Sequence, residues 1–265
     1  MSTPSMSPSS MGAPTTQPFG PASGNLEGFP EAIPVPTWKR VLDVFLLLMV
    51  LPVVGPVFLL AAAWVSLVSH GPLLFVQERV GRGGRRFKCF KLRTMQPDCS
   101  TASHQQHLKQ ILASDKPMQK LDTVDPRLLP GAKILRALGI DELPQLYNVF
   151  RGEMSVVGPR PCIPYEAQQF QPWQRERFAG LPGMTGLWQV RGKNRTTFLE
   201  MIRLDIEYVR TQSLWLDLRI LVATPKALML QLVYALWNRA QTGRQRLSRS
   251  QPVPIATADG SGVVG

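Results

Sequence analysis

From Val44 to Ser69 the chain carries no charged residue and is almost wholly apolar. As a straight helix this run would extend roughly 39 Å, more than the hydrocarbon core of a bilayer at about 30 Å. A simple transmembrane crossing is therefore the first reading, and two features weigh against it. Pro52 and Pro56 each remove a backbone donor and disfavour an uninterrupted helix. On either side of them lie about 11 and 13 helical residues, roughly 16 and 20 Å, and neither part reaches across the core. The flanks are also basic at both ends, with Lys39 and Arg40 before the run and Arg79, Arg82, Arg85 and Arg86 after it. The positive-inside rule then places both ends on the cytoplasmic side. A helix-break-helix hairpin that enters one leaflet and returns satisfies both constraints. Its competitors are a buried core helix and a kinked full span.

The rest of the chain is organised around that segment. At 265 residues there is room for one or two domains with a sizeable core. Residues 1–37 are rich in Ser, Pro, Gly and Thr, hold only Glu27 and Glu31 as charges, and are expected to be disordered. No basic stretch precedes an apolar one there, so no secretory signal is read and the chain should begin in the cytoplasm. The re-entrant segment is assigned to 38–70, a cytoplasmic catalytic domain with interfacial helices to 71–240, and a second disordered tail to 241–265. Within the domain, Phe75-Val76 and the alternating Phe87–Arg93 read as two short strands joined by a turn at Gly81–Gly84. Gln96–Lys120 reads as a polar loop, and helical signals dominate from Lys133 onward. Phe198–Trp237 reads as helices; its leucine-rich part is either an interfacial helix, with Arg239, Arg244, Arg246 and Arg249 facing anionic headgroups, or a core helix. The fold class is α+β and mostly helical, with short strands.

Charge and composition exclude several function classes. Lysine and arginine number 30 against 18 acidic residues, a formal net charge of +12, and seven of the bases crowd Arg79–Arg93. Such a patch demands an anionic partner: nucleic acid, lipid headgroups or a phosphorylated substrate. Gly81-Arg82-Gly83-Gly84-Arg85-Arg86 is a single copy flanked by strand-like residues, unlike the long disordered arrays of RNA binders, so no nucleic-acid partner is expected. Just after the apolar run, a tight basic turn facing lipid phosphates fits its position. Cys89, Cys99 and Cys162 are odd in number and lack metal-ligand spacing, which argues against a disulfide framework or a zinc site. There is no phosphate-binding Gly-rich loop, no nucleophile elbow, and no His70, His104 or His107 arrangement that pairs with a nucleophile.

What remains as chemistry is Leu135-Arg136-Ala137-Leu138-Gly139-Ile140-Asp141-Glu142-Leu143-Pro144-Gln145-Leu146, followed by Val157-Gly158-Pro159-Arg160-Pro161. Adjacent carboxylates between arginines suit work on phosphate, because carboxylates can attack phosphorus or hold a metal and arginines grip phosphate oxygens in pairs. Taken alone, an Asp-Glu pair before a helix is ordinary charge placement at the positive end of the dipole.

The segment closely resembles the signature of the monotopic bacterial sugar transferases, phosphoglycosyl transferases that load a sugar phosphate onto a polyprenyl phosphate. The resemblance covers about Trp38–Thr224 and consists of six motifs in order. They are Lys39-Arg40-Val41-Leu42-Asp43; Gln77–Gly81 with Phe87–Met95; Asp125-Pro126-Arg127; the Asp141-Glu142 segment; Val157–Pro161; and Pro182–Val190. It implies a membrane protein dipping into a single leaflet of the bacterial inner membrane, with its catalytic part on the cytoplasmic face. It implies transfer of a sugar-1-phosphate from a nucleotide sugar, with UDP the expected nucleotide, to polyprenyl (undecaprenyl) phosphate, starting a surface polysaccharide. Asp141 takes the role of nucleophile, forming an aspartyl-phosphosugar, and Glu142 that of the Mg²⁺ ligand. Lys91, Arg136 and Arg160 would contact phosphates, with Lys193 at the donor site and Asp217 a weaker candidate. Implied partners are the nucleotide-sugar donor, the polyprenyl phosphate acceptor, membrane lipids and downstream glycosyltransferases. Three departures stand out. Arg191-Gly192-Lys193 replaces a small polar residue and Gly-Arg, which leaves the donor role between Lys193 and Arg191; Gly139 replaces a usual Ser or Thr; and the membrane spans that larger relatives carry are absent here, as in the minimal form. The reading from another class is a catalytically inactive membrane scaffold of the same fold.

Overall fold

The computed structural model describes residues 28–96, 127–192 and 196–249, with side chains along the last helix only to Val233 apart from Gln231. Cys99, His104, His107, Asp125, Pro126, most of the Gln96–Lys120 loop and Lys193 lie outside the described residues.

Helix α1 runs Thr37–Val68, about 48 Å at 1.5 Å per residue. Among the described residues it is the one helix long and apolar enough to cross a membrane. The expected break is absent: α1 continues through Pro52 and Pro56. Proline's fixed φ is a helical value, so each ring costs the carbonyl four residues earlier its donor, not the helical path. Those carbonyls belong to Leu48 and Pro52, one turn apart on the same face. The middle of α1 is exposed, with Phe45, Leu48, Met49, Val53, Leu59 and Leu60 all open, whereas both ends are docked on the folded domain. At one end Lys39 and Asp43 are buried; at the other, Ala61, Ala62 and Val65 pack with Leu92, Leu129 and Ala132.

Strands β1 (Leu74–Val80) and β2 (Arg86–Leu92) form the expected antiparallel hairpin, in a register running from Leu74 opposite Leu92 to Val80 opposite Arg86. The turn between them is a single 3₁₀ turn, Arg82–Gly84. Gly84 there has φ 77°, and a Cβ on it would stand 2.7 Å from the Phe29 ring. That close approach exposes a correction to the N-terminal assignment: residues 28–36, read as part of a disordered tail, lie across the domain. Phe29 meets Phe178 edge-on at 4.9 Å, the Ile33 N–H donates to the Ala179 carbonyl (2.9 Å), and Arg82 and Arg175 donate to the Ile33 and Gly28 carbonyls.

The remaining elements are mainly helical: α2 (Ala132–Ala137), α3 (Gln145–Arg151), α4 (Pro164–Gln168), α5 (Leu187–Val190), α6 (Phe198–Thr211) and α7 (Leu214–Arg249). Helix α6 opens with a capping box, Thr197 Oγ1 accepting from the Glu200 N–H and the Glu200 carboxylate from the Thr197 N–H. It buries Phe198, Met201, Ile202 and Ile206 against Val80, Phe170, Phe178 and Trp188, and Val209 against Ala179 and Leu187, with Asp205 on the same stripe at helical spacing. Helix α7 reaches Arg249, so the stretch 241–249 assigned to the C-terminal tail is helical.

One small sheet was not expected. Strands β3 (Ser155–Val157) and β4 (Gly183–Thr185) pair in parallel, joining two of the sequence motifs. The Gly158 N–H donates to the Thr185 carbonyl (2.9 Å) and the Gly183 N–H to the Pro159 carbonyl (2.8 Å). A Cβ on Gly183 would lie 2.0 Å from the Gly158 nitrogen, and one on Gly158 would lie 2.3 Å from the Leu181 carbonyl oxygen. The two backbones interlock with no space for a side chain between them.

Candidate active site

Asp141 and Glu142 occupy a one-turn 3₁₀ segment, Ile140–Glu142, between α2 and α3. Gly139 starts it in the left-handed region (φ 71°), a conformation that suits glycine. The Glu142 N–H closes the turn on the Gly139 carbonyl at 3.0 Å, and Pro144 leads into α3. The carboxylates therefore stand at the positive end of α3, the favourable placement anticipated for such a pair. Asp141 is buried, while Glu142 is half-exposed.

Strand β2 supplies the partner. Lys91 Nζ lies 3.1 Å from Glu142 Oε1, and the two side chains are 26% and 35% exposed. So accessible a pair contributes at most about 1 kcal/mol and opens readily to a phosphate or a cation. Its placement comes from a residue that the motifs did not single out. Fully buried Asn148 on α3 accepts from the Phe90 N–H (3.3 Å) and donates to the Lys88 carbonyl (2.7 Å), capping the outer edge of β2. Arg136, half-buried, closes the last turn of α2, directly before the carboxylate turn.

Arg160 follows β3 in the loop that the interlocked glycines hold. Its N–H donates to Asp205 Oδ2 at 3.3 Å, and its carbonyl accepts from Arg177 at 2.7 Å. Arg177 and Asp205 form an ion pair with both side chains 1% exposed. Burial pushes the Asp205 carboxyl up to about 6, against the pull of Arg177 and of the Arg160 N–H. Arg79, also buried, donates to the Pro161 carbonyl at 3.1 Å, and burial together with the neighbouring Arg160 cation lowers its pKa. Neither Asp205 nor Arg177 carried a signal in the sequence, since their partners lie 28 and 45 positions away.

Asp217 belongs to a different constellation. It is 1% exposed, lies 2.6 Å from Lys39 Nζ and accepts from the Tyr208 hydroxyl at 2.7 Å. Lys39 also donates to Tyr208 and to the Val157 carbonyl. Next to it, Arg40 donates to the carbonyls of Val149 and Phe150, and Asp43 accepts from Ser155 and the Val156 N–H. The charges heading α1, with Asp217, fasten that helix to the domain. The structure thus brings Lys91 and Glu142 into contact, sets Arg136 and Asp141 beside them in sequence, and places Asp217 in a buried anchor.

Among the described residues no group of three His, Cys, Asp or Glu side chains converges to hold a metal by itself. Adjacent Asp141 and Glu142 nonetheless fit Mg²⁺, which is commonly held by one or two carboxylates, with phosphate oxygens and water completing its shell.

The profile of the family described as bacterial sugar transferase matches residues 35–231, most of the chain and all of the elements just described from α1 into α7. The chain belongs to the bacterial sugar transferase family. Among curated members of that family, the UDP-glucose:undecaprenyl-phosphate glucose-1-phosphate transferase of Caulobacter vibrioides is 40% identical over 72% of this chain and 69% of its own length. The exopolysaccharide production protein ExoY of Sinorhizobium fredii is 35% identical over 72% of this chain and 85% of its own. The galactosyl transferase CpsE of Streptococcus agalactiae is 41% identical over 60% of this chain, but the match spans only 35% of that longer protein. The match likewise spans 40% of the undecaprenyl-phosphate galactose phosphotransferase of Salmonella typhimurium.

Proposed function

We propose that this chain transfers a sugar-1-phosphate from a UDP-sugar to undecaprenyl phosphate in two displacements at Asp141, beginning a surface polysaccharide. In the first, an Asp141 carboxylate oxygen attacks the sugar-proximal phosphorus; the bond from that phosphorus to the bridging oxygen breaks and UMP leaves. In the second, a phosphate oxygen of the lipid attacks the same phosphorus and displaces Asp141, giving a lipid-linked diphosphosugar. Dividing one displacement in two lets a water-soluble donor and a lipid acceptor use one site in turn. The observation that carries the reading is the buried Asp141 in a rigid turn, with Glu142 and Lys91 paired beside it.

Lys91, Arg136 and Arg160 supply cations for phosphate oxygens. Glu142, with Asp141, would hold Mg²⁺, which supplies charge neutralisation on the phosphates when bound. Helix α1 is proposed to lay its bare apolar middle into the cytoplasmic leaflet of the inner membrane as one unbroken helix, with both ends held at the cytoplasmic face. Support comes from its two docked ends, which engage the same folded domain, while the apolar middle is bare. Cysteines introduced near Thr37 and Gly71 should both react with a membrane-impermeant reagent added to inside-out vesicles. Labelling of only one of them would mean a full span.

The catalytic claim is tested with purified protein, labelled UDP-galactose and UDP-glucose, Mg²⁺ and undecaprenyl phosphate. Wild type should release UMP and form labelled lipid, EDTA should stop both, and Asp141→Asn should do neither while remaining folded. Near-wild-type turnover by Asp141→Asn would remove the nucleophile assignment, and an inert wild type with both donors would favour a scaffold.

A further inference from the structure

We infer that Arg177 and Asp205 are positioning residues that aim Arg160 at phosphate, an inference resting on the phosphate-binding role proposed for Arg160. The ion pair touches Arg160 only through its backbone, and it does so on both sides of one Cα. The Asp205 carboxylate takes the Arg160 N–H and the Arg177 guanidinium gives to the Arg160 carbonyl. With both flanking peptide units pinned, φ and ψ at Arg160 are held by one ion pair. Pro161 adds a second restraint, confining the residue before it to extended conformations. The Arg177 guanidinium itself rests against the Phe170 and Phe178 rings, which stand side by side with centroids 5.9 Å apart, at 5.6 and 5.8 Å from the two centroids.

A purely stabilising role accounts poorly for this pair. Two fully buried charges are costly to desolvate, and apolar residues of similar size usually serve stability as well or better. Here the pair is also incompletely satisfied: Arg177 Nε and Nη1 and Asp205 Oδ1 are buried without a hydrogen-bond partner among the described residues. What the pair achieves that apolar packing cannot is simultaneous donation to, and acceptance from, the backbone of one arginine. The Arg79 cation lies close by and is bonded to the Pro161 carbonyl. Arg79 and Arg160 repel each other while Asp205 attracts Arg160, so the three arginines exceed the one carboxylate that pairs with them and favour an anion. The clamp and the cations together make Arg160 a pre-aimed phosphate ligand.

The test is a kinetic double-mutant cycle with UMP release from the active UDP-sugar as readout. Asp205→Asn should lower kcat/KM for the donor by about 10- to 100-fold in the wild-type background, the scale of a misplaced catalytic contact. In an Arg160→Ala background the same change should cost less than about twofold, because contacts acting through one residue are not additive. A second variant, Arg177→Met with Asp205→Leu, guards against unfolding by removing both charges at once; it should retain a cooperative melt and show the same background dependence. Equal losses in both backgrounds would overturn the clamp and leave Arg160's own role standing. Wild-type kcat/KM in Arg160→Ala would overturn both.

Discussion

The anchor at the head of α1 gives a sharp energetic prediction. Lys39 Nζ makes three buried contacts, at 2.9 Å to the Val157 carbonyl, 2.8 Å to the Tyr208 hydroxyl and 2.6 Å to Asp217. Lys39→Met leaves the Asp217 carboxylate charged in a site 1% exposed, with the Tyr208 hydroxyl as its one remaining partner in the anchor. Stranding one member of a buried pair costs about 3–5 kcal/mol. For a domain of this size each kcal/mol is worth about 2–4 °C, so the variant should melt about 6–20 °C lower. Asp217→Leu should cost a similar amount by stranding the ammonium. Removing both is different, because the Tyr208 hydroxyl can then turn its one proton to the Val157 carbonyl, 3.1 Å away, and the buried charge left nearby, Asp43, keeps its bonds from Ser155 and the Val156 N–H. The double variant should fall within about 1–2 kcal/mol of wild type, a coupling of several kcal/mol that independent sites never show. The measurement is thermal unfolding in lipid nanodiscs, all four proteins scanned at one rate. If the double variant loses the sum of the two singles, the residues do not act as a pair and the anchor is misread.

Three further outcomes are expected. Gly183→Ala should destabilise at or above the upper end of the about 1–3 kcal/mol typical of overpacking, since a methyl group there meets backbone and not a flexible side chain, and it should lower turnover by moving the Arg160 loop; a wild-type melting curve would show that the strands can part. Lys91→Met should leave thermal stability within about 1 kcal/mol of wild type yet reduce UMP release at least tenfold, and unchanged turnover would take Lys91 out of the site. Cys89 and Cys162 are buried and burial pushes both thiols up, so iodoacetamide at pH 7.5 should modify neither in the folded protein; mass spectrometry showing either one alkylated before unfolding would contradict that burial.

How much of this was readable from residues alone depends on range. The β1–β2 hairpin was legible because Phe87–Leu92 alternates and glycines mark its turn, both local signals. The carboxylate turn was legible as a motif, though not its sharp Gly139 reversal. Strands β3 and β4 were not, because three residues are too few to show a period. The segment 28–36 looked disordered by composition, yet Phe29 and Ile33 find partners that local sequence cannot announce, an aromatic pocket, the Ala179 carbonyl and the Arg82 guanidinium. Asp217 stood as a weaker site candidate only through the family resemblance, and in the fold it is buried in the anchor. Its actual partner is 178 positions away. Proline misled in the other direction: it removes hydrogen bonds, but α1 keeps its helical path without them.

That 178-residue separation has a consequence for biogenesis. At bacterial synthesis rates of about 5–20 residues per second, roughly 10–35 s pass between the emergence of Lys39 and that of Asp217. Through this interval the greasy segment is already outside the ribosome while the acid that will neutralise its leading ammonium does not yet exist. Lipid or an insertion factor must shelter the nascent helix, and its seating on the domain becomes a late, post-insertion event.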